Sequence, residues 1–232
     1  MAMSALLQIK PAFPGNDRCI VFCTNDGYMA LTAVAVQSVL DHAAPDGLYD
    51  IIILHSGISA GNQEICSRQF VGTDHARIRF YDVSDVFSGF RLFTENRDSI
   101  SRETYFRIVI PWILHPDYKT AVYFDGDMII RHDANDIFQF ELGKAYIAAV
   151  RDYWGICNCY IPGDKTAGYR RSLRLDDMDG YVISATLLFN LSLWRKSFIL
   201  EEVLHLCASR EWYQHDQDVI NVLCTNTDHN RL

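Results

Sequence analysis

Nowhere does the chain run apolar for the roughly 20 residues that a membrane-spanning helix needs. Its start, "MAMSALLQIKPAFPGNDR", has no apolar core leading to a small-residue cleavage site, so no signal peptide is read there. Basic residues are also scarce. The 21 Lys and Arg stand against 29 Asp and Glu, and the formal net charge is −8. That balance argues against broad electrostatic attraction to nucleic acid or to an anionic membrane. Seven cysteines, an odd number at irregular spacing, do not form a disulfide framework. Cys157 and Cys159 make a Cys-x-Cys pair, but no second pair matches it, so reduced thiols are expected rather than a zinc site. A reducing cytosol, hence a cytoplasmic protein, is the simplest compartment. Repeats, low-complexity tracts and interdomain linkers are missing too.

What is present is an ordinary globular composition, 49% hydrophobic and 22% charged over 232 residues, enough for a sizeable core in one large domain or a tight pair. Short apolar runs of strand length fall at 19–24, 49–57, 76–83, 119–124 and 145–152, and 181–194 is strand-like and apolar. Between them, 28–42 is apolar around most of its circumference and reads as a buried helix. The segment 101–114 opens with Ser-x-Glu and reads as a helix until Pro111 disturbs it. The segment 215–224 reads as a helix opening with acids. Alternating strands and helices predict an α/β fold with a largely parallel central sheet, and ligands then bind beyond the carboxyl ends of the strands.

One strand ends in "YFDGDMII", placing Asp125 and Asp127 at that edge with Gly126 between them. On an extended backbone, side chains at i and i+2 share a side, and a glycine lets a neighbour approach the backbone closely. Clustered carboxylates repel unless a cation compensates them. Oxygen ligands suit Mg²⁺ or Mn²⁺, often shared with a substrate diphosphate. Three readings compete: an acidic turn whose side chains cap local amides, a phosphohydrolase with an aspartate nucleophile, and metal-assisted transfer of a sugar from a nucleotide sugar. The phosphohydrolase reading fits poorly, because roughly half the chain precedes the motif and the later "DDMDG" (176–180) has no clear supporting lysine.

Several segments, in order, resemble the family 8 glycosyltransferases. "CIVFCTNDGYMALTAVAVQSVL" is similar to the family's opening strand, nucleotide loop and helix. "SRETYFRIVIPWILHPDYKTAVYFDGDMII" is similar to its arginine-bearing helix and metal motif, and "YVISATLLFNLSLWRK" and "HDQDVINVL" to its later segments. The resemblance implies a GT-A fold, Rossmann-like with a mostly parallel or mixed sheet flanked by helices, in a domain spanning 19–232 after a lead-in of 1–18. It implies a retaining hexosyltransferase that uses a UDP-sugar, glucose or galactose first, with Mn²⁺ or Mg²⁺ and a glycan or other hydroxyl acceptor.

Carried over by residue, the resemblance gives uridine to Thr24, Asn25, Asp26, Gly27 and Tyr28. It gives the donor site to Arg107, Gly126, Ser184 and Ala185, and the metal to Asp125 and Asp127, with Asp125 also near the ribose. Asp152 would bind donor-sugar hydroxyls, and Asp216 and Gln217 would lie near the donor sugar, Gln217 close to the anomeric carbon. Front-face attack, with the leaving phosphate helping to deprotonate the acceptor, is the mechanism so implied. From the residues alone, Arg107 could equally serve a salt bridge, Asp152 a loop, and Asp216 a helix N-cap.

Three departures from the family pattern stand out. Ser184, Ala185 and Thr186 replace the usual Asn-Ala-Gly, and Asn25 and Gly27 replace the Asp and Asn of the nucleotide loop. The sequence also stops at "TNTDHNRL", without the His-x-x-Gly-x-x-Lys-Pro-Trp segment, so a C-terminally incomplete domain is expected. His229 is not assigned as a substitute. These departures keep open a non-catalytic nucleotide-sugar-binding protein. The loop 153–177 gathers Lys165, Arg170, Arg171 and Arg174 beside aromatics, which suits either an acidic acceptor or a solvated surface.

Overall fold

The computed structural model describes residues 8–69, 74–93, 101–153, 173, 175 and 180–225. The basic residues of the 153–177 loop and the Cys157–Cys159 pair lie outside these. Six strands form one sheet in the order β3-β2-β1-β4-β6-β5. They are β1 (Arg18–Thr24), β2 (Tyr49–His55), β3 (Ala76–Asp82), β4 (Thr120–Phe124), β5 (Ile147–Arg151) and β6 (Val182–Asn190). The first four run parallel, while β6 pairs antiparallel with both β4 and β5. The sheet is therefore mixed, with one reversed strand.

The strands alternate their side chains between two apolar layers. Ile20, Phe22, Ile51, Ile53, Val122 and Phe124 pack on one face with helix α1 (Met29–Asp41). Val21, Ile52, Leu54, Tyr123 and Phe189 pack on the other with α3 (Phe106–Ile113), α4 (Leu191–Ser197), α5 (Leu200–Ala208) and α6 (Asp216–Thr225). A strand buried on both faces reads as a continuous apolar run, which is why these strands were visible in the sequence. A further helix, α2 (Ala60–Gln69), lies between β2 and β3.

Three sequence expectations need correction. Helix α1 is buried along one face only, since Leu31 (48%) and Val34 (52%) stay exposed. The segment 101–114 is not one helix interrupted at Pro111. A 3₁₀ turn covers Arg102–Tyr105, and α3 then carries Pro111 inside it to Ile113. Proline forfeits one hydrogen bond, and the guanidinium of Arg195 satisfies carbonyls at this helix end, donating to Pro111 O and to Leu114 O at 3.0 Å, and also reaches Tyr118 O in the following turn at 3.0 Å. The apolar run 181–194 is two elements. The β6 strand ends at Asn190, whose side chain accepts from Leu193 N–H at 3.1 Å and so caps α4.

The described part of the lead-in, from residue 8 on, packs onto the body. Ile9 is buried and bridges Leu114, and Ala12 N–H donates to Asp50 at 2.8 Å. The order 3-2-1-4 means that β1 leads outward through α1 to β2, while β4 lies on its other side. Connections therefore diverge between β1 and β4, the switch point at which an α/β sheet opens a crevice. Both "TNDGY" and "DGD" leave their strands there.

Candidate active site

A cleft of about 170 Å³ opens at this switch point. Thr24, Asn25 and Tyr28 line it from the end of β1, and Asp125, Gly126 and Asp127 from the end of β4. Arg107, in the first turn of α3, forms the floor. The chain after Phe124 turns instead of staying extended, so the two aspartates differ: Asp125 is partly buried and Asp127 is exposed.

Gly126 does admit a close neighbour, Thr32 of α1. Its hydroxyl donates to Thr24 Oγ1 at 2.8 Å, tying α1 to β1. A β-carbon on Gly126 would collide with Thr32 Oγ1. Gly126→Ala is expected to lower unfolding stability by about 1–3 kcal/mol through overpacking. Thr32→Ala in the same chain should recover part of that loss, as urea denaturation would show.

Arg107 is the hub. Its side chain is buried, with one amino group 2.9 Å from Asp125 Oδ1 and Nε 3.1 Å from Asp216 Oδ2. That Nε–H points to Thr104 O at 2.9 Å, so the contact with Asp216 is electrostatic and not a hydrogen bond. The guanidinium also donates to Ser184 O at 2.9 Å and stacks 4.4 Å above the Tyr123 ring. Burial works against its charge, but Asp216, Tyr123 and Asp125 overcome this and raise its pKa. Arg107 is thus both a cleft residue and a salt-bridge residue.

Behind the arginine stand the remaining expected residues. Asp216 does not cap α6. It accepts from Thr104 Oγ1 at 2.5 Å, and burial pushes its carboxyl above the ordinary range against the pull of Arg107. His215, left-handed at φ 51°, turns the chain into α6. Asp218 anchors that helix by accepting from Tyr181 OH at 2.6 Å and Gln214 N–H at 2.7 Å. Gln217 accepts from Ser184 N–H at 3.1 Å and donates to Asp152 at 2.8 Å. Arg107, Ser184, Gln217 and Asp152 therefore form one hydrogen-bonded chain leading from the cleft. Ala185 contributes its carbonyl, which accepts from Asp125 N–H at 2.9 Å.

Asp26 lies outside the cleft lining. Ser59 N–H and Asn62 Nδ2 each reach its carboxylate at 2.8 Å, holding the loop after β1 to the start of α2. Missed by sequence reasoning were Glu103 and Thr104, which lie on the 3₁₀ turn, and Tyr123, whose hydroxyl donates to Asp125 at 2.6 Å. In the sequence Glu103 reads only as a helix-start signal. Its position facing the end of β1 follows from tertiary packing alone.

Asp125 and Asp216 pair with the one guanidinium, and Glu103 and Asp127 line the same cleft. An anionic diphosphate enters such a site only with a cation. The donor set suits one: Asp125 retains an oxygen beyond its contacts with Arg107 and Tyr123, and Asp127 makes no hydrogen bond or ion pair among the described residues. No group of three or more His, Cys, Asp or Glu side chains poised for a metal occurs among the described residues. Two carboxylates with the rest of the shell supplied by phosphate and water is the usual arrangement for a hard ion on a diphosphate.

A family model, "Glycosyl transferase family 8", matches residues 19–229. A Haemophilus influenzae protein assigned to the glycosyltransferases is 23% identical over 207 residues, covering 88% of this chain and 58% of that protein. The galactosyltransferase LgtC, solved with donor and acceptor sugar analogues, is 27% identical, with a TM-score of 0.72 over 88% of this chain and 70% of LgtC. The bifunctional glycosyltransferase WbbM shares the fold at a TM-score of 0.80 and 22% identity, over 94% of this chain but only 39% of WbbM. The chain thus spans little more than half of its Haemophilus relative. The mixed sheet, the switch-point cleft and the family match agree: the chain belongs to glycosyl transferase family 8, the transferases of the GT-A fold.

Proposed function

We propose that this chain transfers a hexose, glucose or galactose first, from a UDP-sugar to a hydroxyl of a glycan or similar acceptor, with retention of configuration. The observation that carries this reading is the pair Asp125 and Asp127 at the end of β4, across the switch-point cleft from Asn25 and Tyr28 and beside Arg107. In this reading Tyr28, 45% exposed at the rim, offers its ring to the base. Arg107 directs charge at the diphosphate, and Asp125 and Asp127 hold Mn²⁺ or Mg²⁺. The bound metal would neutralise the departing diphosphate as a Lewis acid.

Gln217, fixed between Ser184 and Asp152, orients the donor sugar with Asp216 behind it. The bond from the anomeric carbon to the diphosphate breaks, a bond to the acceptor oxygen forms on the same face, and the acceptor proton passes to a diphosphate oxygen. Family membership removes the reason for the phosphohydrolase reading. The domain limits of 19–232 and a cytoplasmic location belong to the same proposal; no described helix is long and apolar enough to cross a membrane.

Asp127 supplies the test, since its exposure makes Asp127→Ala nearly neutral for folding, within about 0.5 kcal/mol. UDP with Mn²⁺, at about 100 times its dissociation constant, is expected to stabilise the native chain by about 2.7 kcal/mol. Thermal denaturation should show that gain shrink sharply in the variant and when Mn²⁺ is left out. Equal stabilisation of both chains, with or without Mn²⁺, would overturn the metal-bridged site.

A further inference from the structure

Glu103 is a buried carboxylate, 6% exposed, on the wall of the cleft that faces the end of β1. Among the described residues no cation pairs with it. Its partners are neutral: the Ser56 hydroxyl donates to Oε1, and Asn25 Nδ2 stands 3.3 Å from Oε2. Burial pushes its pKa up, yet the hydrogen bonds from Ser101, Ser56 and Asn25 outweigh that and leave it below its ordinary value. An ionised carboxylate in a cleft with only neutral donors has acceptor capacity to spare, about four lone-pair sites in all.

Asn25 is turned the other way. Its carbonyl oxygen accepts from Tyr28 N–H at 3.1 Å, and its amide NH₂ is directed at Glu103 and Ser101. That NH₂ spans Glu103 and Ser101 Oγ at 3.3 and 3.4 Å, both longer than the usual 2.9–3.0 Å of an N–H···O bond and open to re-partnering. This pole of the cleft therefore presents an amide donor, a carboxylate acceptor and a hydroxyl within hydrogen-bond reach of one another, on the same cleft lining as the exposed Tyr28 ring.

We infer that Glu103 is the residue that selects the nucleobase, accepting the N3–H of uracil while Asn25 and Ser101 donate to the flanking carbonyls. The inference rests on the nucleotide-sugar reading above and deepens it. Uracil offers acceptor, donor, acceptor along its edge, the complement of donor, acceptor, donor. Cytosine carries an acceptor at N3 and would set a lone pair against the carboxylate. Guanine offers two adjacent donors, which leaves either Asn25 or Ser101 facing a like group unless the serine hydroxyl rotates.

The experiment is calorimetric titration of the whole chain with UDP, N3-methyl-UDP, CDP and GDP in the presence of Mn²⁺, for native protein, Glu103→Gln and Glu103→Ala. Melting curves of each variant verify the fold. A hydrogen bond to a charged group corresponds to roughly tenfold to hundredfold in affinity, so the native chain is expected to lose that much on N3-methylation. Glu103→Gln should weaken UDP by about tenfold. In Glu103→Ala, where the methyl group has room, the preference for UDP over N3-methyl-UDP should vanish. A merely structural glutamate would weaken both ligands alike and keep the preference, which overturns the inference and leaves the UDP site standing. Tighter binding of GDP or CDP than UDP by native protein overturns it as well. UDP that binds no folded form at all retires the nucleotide reading together with the inference.

Discussion

Arg107→Ala is expected to destabilise the chain by about 3–5 kcal/mol, the cost of breaking a buried ion pair from one side. The size follows from what is left behind. Asp125 and Asp216 lose the guanidinium that lies within 3.1 Å of both, and Asp216 is almost wholly buried. For a domain of this length 1 kcal/mol is about 2–4 °C, so the midpoint should fall by about 6–20 °C. Adding Asp216→Asn removes one orphaned charge and should return part of the loss, whereas adding Asp127→Ala, at an exposed residue, should return none. Arg107→Lys keeps a charge but cannot hold Thr104 while also reaching Ser184 and Asp125, as the three guanidinium nitrogens do, and should fall between native and alanine. Urea and thermal denaturation of the five chains measure all of this. If Arg107→Ala lost less than about 1 kcal/mol, in the range of a surface pair, the hub would not be what holds α6, β4 and β6 together.

That hub also marks where the sequence stops being readable. The α/β class and most strands were legible because a two-sided core makes continuous apolar runs, as in "YDIIILH". The reversal of β6 was not, since direction leaves no mark on such a run. Helix α2 went unread because Cys66 is its only buried residue, so it has no apolar stripe to see. Helix α5 carries a good stripe, Leu200, Val203, Leu204 and Cys207, behind two glutamates, and could have been found. Likewise Asn190 was a usable signal that β6 gives way to a helix.

In the site, the strand-end position of Asp125 and Asp127 was legible from local pattern. That Arg107 would serve both the cleft and a salt bridge was not, because its partners come from β4 and from a helix more than 100 residues away. Glu103 was hidden for the same reason. Asp152 and Gln217, each ordinary as a loop acid or helix amide, acquire meaning only through the 2.8 Å hydrogen bond between them.

A second buried charge lets stability be separated from the site. Asp50, fully buried near the start of β2, receives Arg79 NH2 at 2.8 and 3.0 Å, the Tyr118 hydroxyl at 2.5 Å and Ala12 N–H at 2.8 Å. Arg79 and Tyr118 also reach Lys10 O, at 3.0 and 3.3 Å, so one carboxylate fastens the lead-in, β3 and the segment before β4 to β2. Burial opposes the charge on Arg79, and Asp50 more than restores it, raising its pKa. Asp50→Ala is expected to cost about 3–5 kcal/mol, comparable to Arg107→Ala. Yet Asp50 lies five residues before His55, roughly 16 Å of strand from the edge where the cleft opens. Below its lowered melting point the variant should bind UDP with Mn²⁺ as the native chain does, while amide exchange at Ala12 quickens. Arg107→Ala should lose stability and UDP affinity together. Should Asp50→Ala weaken UDP as strongly as Arg107→Ala, the two ends of the sheet would be coupled, and affinity lost in any destabilised variant could no longer be attributed to contacts in the cleft.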